Sequence, residues 1–216
     1  MQEDTLDFLK ELSKSCSHGS IHGNDCLNKI HTNVISMLSC RGYTQTVSNC
    51  ETVDDLFAKM KAGEAILVGK GQDQKRDTYI FFCIEYKVGI KFLRSIVEKL
   101  SKVANACACI VSIDGPTTFT KKDARDNQYD TQFMTFKQLF NDISKHHLFR
   151  NHRALNDAEK REVMANYNIQ HDSQLPQLLQ KDPAVIFYHF RKGDVIEITR
   201  NGGGGQEGTF YYRIVV

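Results

Sequence analysis

Apolar positions along most of the chain repeat with the period of a helix or run together as in a buried strand. Spacings of three and four residues predict amphipathic helices, and short unbroken apolar runs predict core strands. The predicted helices cover residues 26–38, 53–60 and 90–103, and the predicted strands cover residues 78–84 and 106–113. Strand, helix and strand in that order predict a crossover unit, which is right-handed when its strands are parallel. Residues 133–140 fit a strand and a helix equally well.

The last third of the chain has a different pattern, with short helices and two alternating strands. Asn156 and Glu159 have the spacing of a capping box, which predicts the start of a helix. That helix is predicted to bury three apolar residues, Val163, Met164 and Tyr167. Asp182-Pro183 predicts a second helix, because Asp caps a helix and Pro is tolerated at its first position. Residues 195–200 and 209–216 are predicted as strands, joined by a long hairpin loop.

Composition places a boundary between these two patterns. A length of 216 residues predicts one large or two small domains. All seven cysteines lie between Cys16 and Cys109, and an odd count argues against a disulfide framework and for a reducing compartment. Residues 1–144 carry 18 basic and 18 acidic side chains, whereas residues 145–216 carry 10 and 8. We therefore predict an α/β domain over residues 1–144 and a small α+β domain over residues 145–216.

The net charge of +2 excludes a histone-like protein that binds nucleic acid through bulk positive charge. Local contact with nucleic acid stays open. Pro116, Thr117, Thr118, Lys121 and Lys122 offer hydroxyls and lysines for phosphate on a predicted strand-end loop, although an ordinary basic loop fits the spacing as well. No apolar stretch approaches the roughly 18 residues of a membrane span, and the N-terminal residues do not have the pattern of a secretory signal. No membrane and no cofactor is expected.

Asp77, Glu85 and Lys87 raise the hypothesis of an enzyme. Their spacing along a predicted strand resembles the acidic signature of restriction-type nucleases, in which two carboxylates hold a divalent metal and a lysine stabilises charge. Glu85 and Lys87 would share one face of a strand, because strand side chains alternate. Solvated charges at a strand end are the more frequent cause of such a pattern.

Two groups of histidines and cysteines contain residue types suited to metal binding or catalysis. Zinc ligands of suitable type occur at Cys16, His18, His22 and Cys26, but their spacing differs from that of the usual paired knuckles, and a flexible connector is the simpler interpretation. A second group of histidines, His146, His147 and His152, lies at the domain boundary without a nearby cysteine nucleophile, which favours structural or interface histidines.

Six sequence blocks from His146 onward occur in the order of a known family. They are His146-His147-Leu148-x3-His152, Glu159-Lys160-Arg161-Glu162, Ser173-Gln174-Leu175-Pro176, Asp182-Pro183, Lys192-Gly193-Asp194-Val195-Ile196 and Tyr212-Arg213-Ile214. This region resembles the C-terminal assembly domain of the fifth shared subunit of eukaryotic RNA polymerases I, II and III, a family that includes the corresponding archaeal subunit. The first 144 residues resemble the N-terminal jaw domain of the eukaryotic subunit through Arg41-Gly42-Tyr43 and Val88-Gly89-Ile90-Lys91.

The resemblance implies a non-catalytic subunit of DNA-directed RNA polymerase that acts in transcription. Its small domain is expected to dock on the largest subunit, beside other polymerase subunits. Its jaw domain, with a topology like that of restriction nucleases, is expected to lie in the lower jaw beside downstream duplex DNA. The docking role carries over to His146, His147, His152, Leu175, Pro176, Asp182, Pro183, Gly193, Tyr212 and Arg213. The DNA-contact role carries over to Pro116, Thr117, Thr118, Lys121 and Lys122. Transcription factors are further candidate partners.

Departures from the family pattern point to a divergent or specialised paralogue. Arg150 stands where the family has proline, His189 stands where it has glycine, and residues 201–208 replace its hairpin loop. Two other classes of function stay open: a metal-dependent nuclease that uses Asp77, Glu85 and Lys87, and a free DNA-binding transcription adaptor. The expected location is the nucleus, or the nucleolus for a polymerase I subunit. A virus-encoded chain would lie in a cytoplasmic viral factory or a virion.

Overall fold

The computed structural model describes residues 23–71, 76–200 and 209–216, which form two compact units. The first unit ends at Asp142, and the second runs from Ile143 to Val216. The hairpin loop predicted between the last two strands falls at residues 201–208, outside the described residues. Among the helices that the structure describes, none has the length and apolar character needed to cross a membrane.

The first unit is built on a five-stranded mixed sheet in the order β1-β2-β3-β4-β5. Its strands are β1 (Gln45–Ser48), β2 (Leu67–Lys70), β3 (Asp77–Phe82), β4 (Ala106–Ser112) and β5 (Thr131–Thr135). β1, β2 and β3 pair antiparallel, whereas β3, β4 and β5 pair parallel. The carboxyl ends of the three parallel strands therefore meet at one edge of the sheet, which is where open α/β sheets commonly bind their ligands.

Five helices accompany this sheet among the described residues. They are α1 (Gly23–Cys40), α2 (Val53–Ala62), α3 (Ile90–Ser101), α4 (Thr118–Asp126) and α5 (Phe136–Phe140). α3 connects β3 to the parallel strand β4, which confirms the strand, helix and strand order predicted from the sequence. α1 and α2 also form where helical spacing predicted them, each extended by a few residues at one or both ends.

Apolar side chains cover both faces of the sheet because neighbouring strand residues point to opposite sides. Phe81 and Ile110 join Leu93 and Ile96 of α3 in one buried cluster. The next residue along β3, Phe82, instead meets Phe136 of α5 edge to face, with ring centroids 5.4 Å apart. Burial of one such side chain stabilises the fold by roughly 1.5–3 kcal/mol, so these two layers hold the sheet between helices.

The ambiguous segment at residues 133–140 contains both a strand end and a helix. β5 ends at Thr135, which is also the N-cap of α5. The Thr135 hydroxyl accepts the backbone N–H of Gln138 at 3.3 Å, and the Gln138 side chain accepts the backbone N–H of Thr135 at 2.8 Å. This capping box lets the chain change from strand to helix without an intervening loop.

The second unit is a four-stranded sheet in the order β6-β8-β9-β7, with two short helices. The strands are β6 (His152–Ala154), β7 (Gln177–Leu178), β8 (Val195–Arg200) and β9 (Thr209–Val215), and the helices are α6 (Asp157–Asn166) and α7 (Pro183–Tyr188). Its core includes two small clusters of buried residues among those that the structure describes. One contains Leu178, Val185, Ile196 and Val215, and the other contains Leu175, Val195 and Ile214.

The start of α6 is as predicted, but its packing is not. Asn156 caps the helix, and the Glu159 carboxylate accepts the Asn156 backbone N–H at 2.9 Å. The prediction that α6 buries Val163, Met164 and Tyr167 is wrong, because no α6 residue is buried and Tyr167 is 62% exposed. Leu155 and Ile169, which flank the helix, pack against the core in their place.

Candidate functional site

The nuclease-like triplet is not assembled in the first unit. Asp77 begins β3, and its carboxylate accepts bonds from the Lys70 ammonium at 2.6 Å and the Gly71 N–H at 2.9 Å. The bond from Lys70 lowers the pKa of the Asp77 carboxyl. Glu85 and Lys87 lie beyond the opposite end of β3. The strand itself spans about 16 Å from Asp77 to Phe82, by the usual rise per residue. The expectation that Glu85 and Lys87 share a strand face is wrong, since β3 ends at Phe82.

The possible zinc ligands are only partly within the described residues. Cys16, His18 and His22 lie outside them, and Cys26 is a buried thiol in α1. Elsewhere in the described part of the chain, no group of three or more His, Cys, Asp or Glu side chains could hold a metal ion.

The predicted DNA-contact loop is mostly the start of a helix. Thr117 caps α4 by accepting the Thr120 backbone N–H at 3.2 Å, and Thr118 is the first helical residue. The expectation of a strand-end loop over residues 116–122 is therefore wrong. Pro116 and Thr117 lead directly into α4, which begins at Thr118. Helical periodicity gave no signal here, because only Thr120 and Ala124 are buried along α4.

The segment before α3 is paired with the segment before α4. Beyond the ends of β3 and β4, Val88 forms a parallel bridge with Pro116. The Val88 N–H donates to the Gly115 carbonyl at 2.9 Å, and the Thr117 N–H donates to the Val88 carbonyl at 3.2 Å. The Asp114 N–H also donates to the Tyr86 carbonyl at 2.9 Å. The two segments thus form one structure at the carboxyl edge of the sheet.

Lysines and two aromatic rings project from this edge into solvent. Lys121 and Lys122 are exposed in the first turns of α4. Phe119 is 73% exposed and Tyr86 is 61% exposed, and neither was predicted as a site residue from the sequence. A large aromatic residue in a polar helix start or in a strand-to-helix turn is the signal that could have found them. Exposed cations with aromatic side chains can contact nucleic-acid backbone or a protein partner.

Four of the predicted docking residues have roles inside the second unit. Leu175 lies in its core. Asp182 caps α7 by accepting the Ala184 N–H at 2.8 Å, and Pro183 is the first helical residue. Gly193 has φ +93°, a backbone conformation that residues with a side chain rarely adopt. Substitution of these four residues would disturb the fold as well as any docking.

The other predicted docking residues, which include the three histidines and two residues of β9, are at least partly exposed. His146 and His147 are exposed, and their rings stack with centroids 4.7 Å apart. His152 is half-buried against the Phe149 ring, and burial lowers the pKa of its imidazole. Pro176 is also exposed, while Tyr212 and Arg213 are half-buried.

Large apolar side chains on the surface of the second unit mark a candidate interface. Leu148, Tyr167, Leu179, Phe210 and Tyr211 are all exposed in a unit of about 70 residues. Exposed apolar side chains mark an interface when they form one patch, so these five residues are candidates for contact with a partner. Leu148 and Leu179 lie outside the helical and strand periods, so an unexplained apolar residue was the only sequence signal for them.

Comparison with known proteins finds relatives that match most of the chain. Residues 141–215 match the family model described as RNA polymerase Rpb5, C-terminal domain. DNA-directed RNA polymerases I, II, and III subunit RPABC1 of Caenorhabditis briggsae is 28% identical over 185 residues, which cover 80% of this chain and 87% of the relative. DNA-directed RNA polymerase subunit Rpo5 of Thermococcus onnurineus is 43% identical over 83 residues, covering 38% of this chain and 98% of the relative.

The family model and these relatives define the class of the protein as a non-catalytic subunit of DNA-directed RNA polymerase. The chain belongs to the Rpb5 family, which includes the archaeal Rpo5 subunits. The predictions of the family and of a polymerase subunit without its own active site are thereby confirmed. The nuclease and free-adaptor alternatives receive no support. Other polymerase subunits are its partners, and the eukaryotic relatives indicate a nuclear location.

Proposed function

We propose that the second unit anchors this chain on the largest polymerase subunit, while the first unit acts as part of the lower jaw and supports downstream duplex DNA. The match of residues 141–215 to the C-terminal family model carries this proposal. A relative that is itself an RNA polymerase subunit is matched along 98% of its length by only 38% of this chain. Both findings support attachment to the polymerase through the second unit.

The surface of the second unit supports the anchoring role. Of the predicted docking residues, His146, His147 and Pro176 are exposed, and Leu148 and Leu179 add apolar area near them in the sequence. Apolar anchors surrounded by polar groups are the usual composition of the centre of a protein interface. Tyr212 and Arg213 contribute through their exposed portions.

The carboxyl edge of the first sheet supports the DNA-side role. Lys121 and Lys122 follow Pro116, Thr117 and Thr118 and extend into solvent. Lysines and small hydroxyls contact phosphate without reading sequence, which suits a protein that supports moving duplex. The mixed sheet with parallel β3, β4 and β5 is compatible with the restriction-nuclease-like jaw topology that we propose for this unit.

Affinity purification of the tagged chain from its own cells tests the assignment. We expect recovery of the two largest polymerase subunits, and the accompanying subunits will identify polymerase I, II or III, a nucleolar pool, or a viral enzyme. Co-purified transcription factors would identify the further partners. A chain that never recovers the two largest subunits would contradict the proposal.

Substitutions of exposed residues in the second unit test its anchoring role without changing its core. Leu148→Glu combined with Leu179→Glu places charges at two exposed apolar positions of the second unit and should reduce recovery of the largest subunit at least tenfold. Val47→Glu is the matched control, because Val47 is a half-exposed apolar residue of the first unit. Equal recovery of the polymerase by both variants would remove the anchoring role from this surface.

A further inference from the structure

The hydroxyl of Thr120 joins the two segments at the carboxyl edge of the first sheet. Thr120 is fully buried, and its Oγ1 donates to the Val88 carbonyl at 2.9 Å. The same oxygen lies 2.8 Å from Thr117 Oγ1, which accepts the Thr120 N–H. Each hydroxyl has one proton, so Thr117 donates to Thr120 and Thr120 donates to Val88. This chain of bonds joins the start of α4 to the turn before α3 and adds to the backbone bonds of Val88 with Gly115 and Thr117.

The turn held in this way presents a cation and an aromatic ring of its own. Lys87 and Tyr86 immediately precede Val88, and Tyr86 is largely exposed. The Lys87 ammonium lies 3.2 Å from the Asp114 carboxylate, and both side chains are about half exposed. A surface ion pair of this kind contributes only about 0–1 kcal/mol, so Lys87 can exchange Asp114 for a phosphate at little cost.

We propose that Thr120 is a positioning residue that holds the Tyr86–Lys87 turn beside the start of α4, so that both segments contact the DNA backbone as one surface. This inference rests on the proposed DNA-side role and extends it from one segment to two. The positive charge of Lys87, Lys121 and Lys122 favours a phosphate backbone, because lysines near phosphates release condensed counterions, and the proposed DNA-side role makes downstream duplex DNA the occupant.

Photocrosslinking in the assembled polymerase tests the two-segment surface. The photoreactive aromatic p-benzoylphenylalanine is placed at position 86 or 119 of the full chain, and the purified enzyme is bound to a labelled template with downstream duplex. We expect crosslinks to DNA from both positions. Position 103 is the control, because Val103 is partly exposed and follows the carboxyl end of α3, away from the carboxyl edge of the strands. It should give less than one tenth of the crosslinking.

Two Thr120 variants test the coupling itself. Thr120→Val keeps the shape and removes the hydroxyl, and it should reduce the crosslink from position 86 at least threefold while the crosslink from position 119 persists. Thr120→Ser restores a hydroxyl and should restore the crosslink from position 86. A merely structural role of Thr120 would change both crosslinks together.

The outcomes separate this inference from the proposed function. Crosslinks from neither position would contradict the DNA-side role as a whole. A crosslink from position 119 alone would leave that role in place and overturn the two-segment surface. Crosslinks from both positions that Thr120→Val leaves unchanged, or reduces equally, would overturn the positioning role of Thr120.

Discussion

Asn33 shows how one buried polar side chain can connect distant parts of the first unit. It lies on the apolar face of α1, and its Nδ2 donates to the Leu139 carbonyl at 2.9 Å and to the Phe140 carbonyl at 3.0 Å. Those carbonyls belong to the last turn of α5, where intrahelical partners are missing. Asn33 therefore caps a helix that lies more than a hundred residues away in the sequence.

Asn33→Leu should lower the free energy of unfolding by about 2 kcal/mol, because it leaves two buried carbonyls without a donor. Urea unfolding monitored by circular dichroism gives the value. Asn28→Leu is the control, since Asn28 is exposed on the same helix and should change stability by less than about 0.5 kcal/mol. Equal effects of the two substitutions would show that the bonds from Asn33 contribute nothing specific.

His152 makes the stability of the second unit depend on pH. Burial lowers the pKa of its imidazole below the ordinary value of 6.5, against the opposing effects of the Arg150 carbonyl and Asp182. The unfolded chain then binds a proton more readily than the folded chain. The stabilising contribution is complete above about pH 6.5 and is lost as the pH falls below it.

We expect the Tm of the full chain to fall between pH 7.5 and pH 5.5, and to fall less in His152→Gln. His146→Gln is the matched control, because His146 is an exposed histidine of the same unit. A Tm profile for His152→Gln that matches both the wild type and the control would assign the pH dependence to other groups.

At the scale of elements, helices and strands were predicted correctly where their buried residues recur at a regular spacing. They were missed where contacts between distant parts of the chain determine the local structure. α1, α3, β3 and β4 each bury a regular apolar face, so spacing was sufficient to find them. α4 buries only a threonine and an alanine on one side, and β2 is four residues long, so neither produced a periodic signal. α6 is the opposite case, because its caps predicted where it starts, whereas its apolar residues Val163 and Met164 are only half-buried.

α6 depends on its caps more than a buried helix would. It buries no side chain, so the capping box at Asn156 and the 2.6 Å ion pair between Arg153 and Glu159 hold its first turn. Asn156→Ala should lower the free energy of unfolding by about 1 kcal/mol and speed amide exchange in α6. Asn156→Ser should recover most of the loss, because serine also caps. Unchanged exchange in the alanine variant would show that α6 is held by other contacts.

At the scale of the whole molecule, the two units differ in how much of their structure and role could be predicted from sequence. The second unit carries six ordered blocks, so its family could be recognised, but the blocks did not reveal which residues are buried. Leu175 is a core residue and Gly193 has a positive φ, whereas Leu148 and Leu179 lie on the surface outside any periodic element. The structure at the carboxyl edge of the first sheet depends on bonds between residues about 30 apart, which periodicity cannot detect.

The second unit should fold without the first. A polymerase subunit that is 43% identical is matched along 98% of its length by only 38% of this chain, and the core clusters of the second unit draw only on its own residues. We expect a fragment of residues 143–216 to unfold cooperatively, with a free energy of unfolding of about 3–5 kcal/mol, as is usual for a domain of this size.

Added to polymerase assembled without the chain, the fragment should bind but should not restore the DNA crosslinks that are expected of the full chain. A fragment without a cooperative transition would show that the second unit requires the first to fold. A folded fragment that does not bind would instead move the anchoring surface to the first unit.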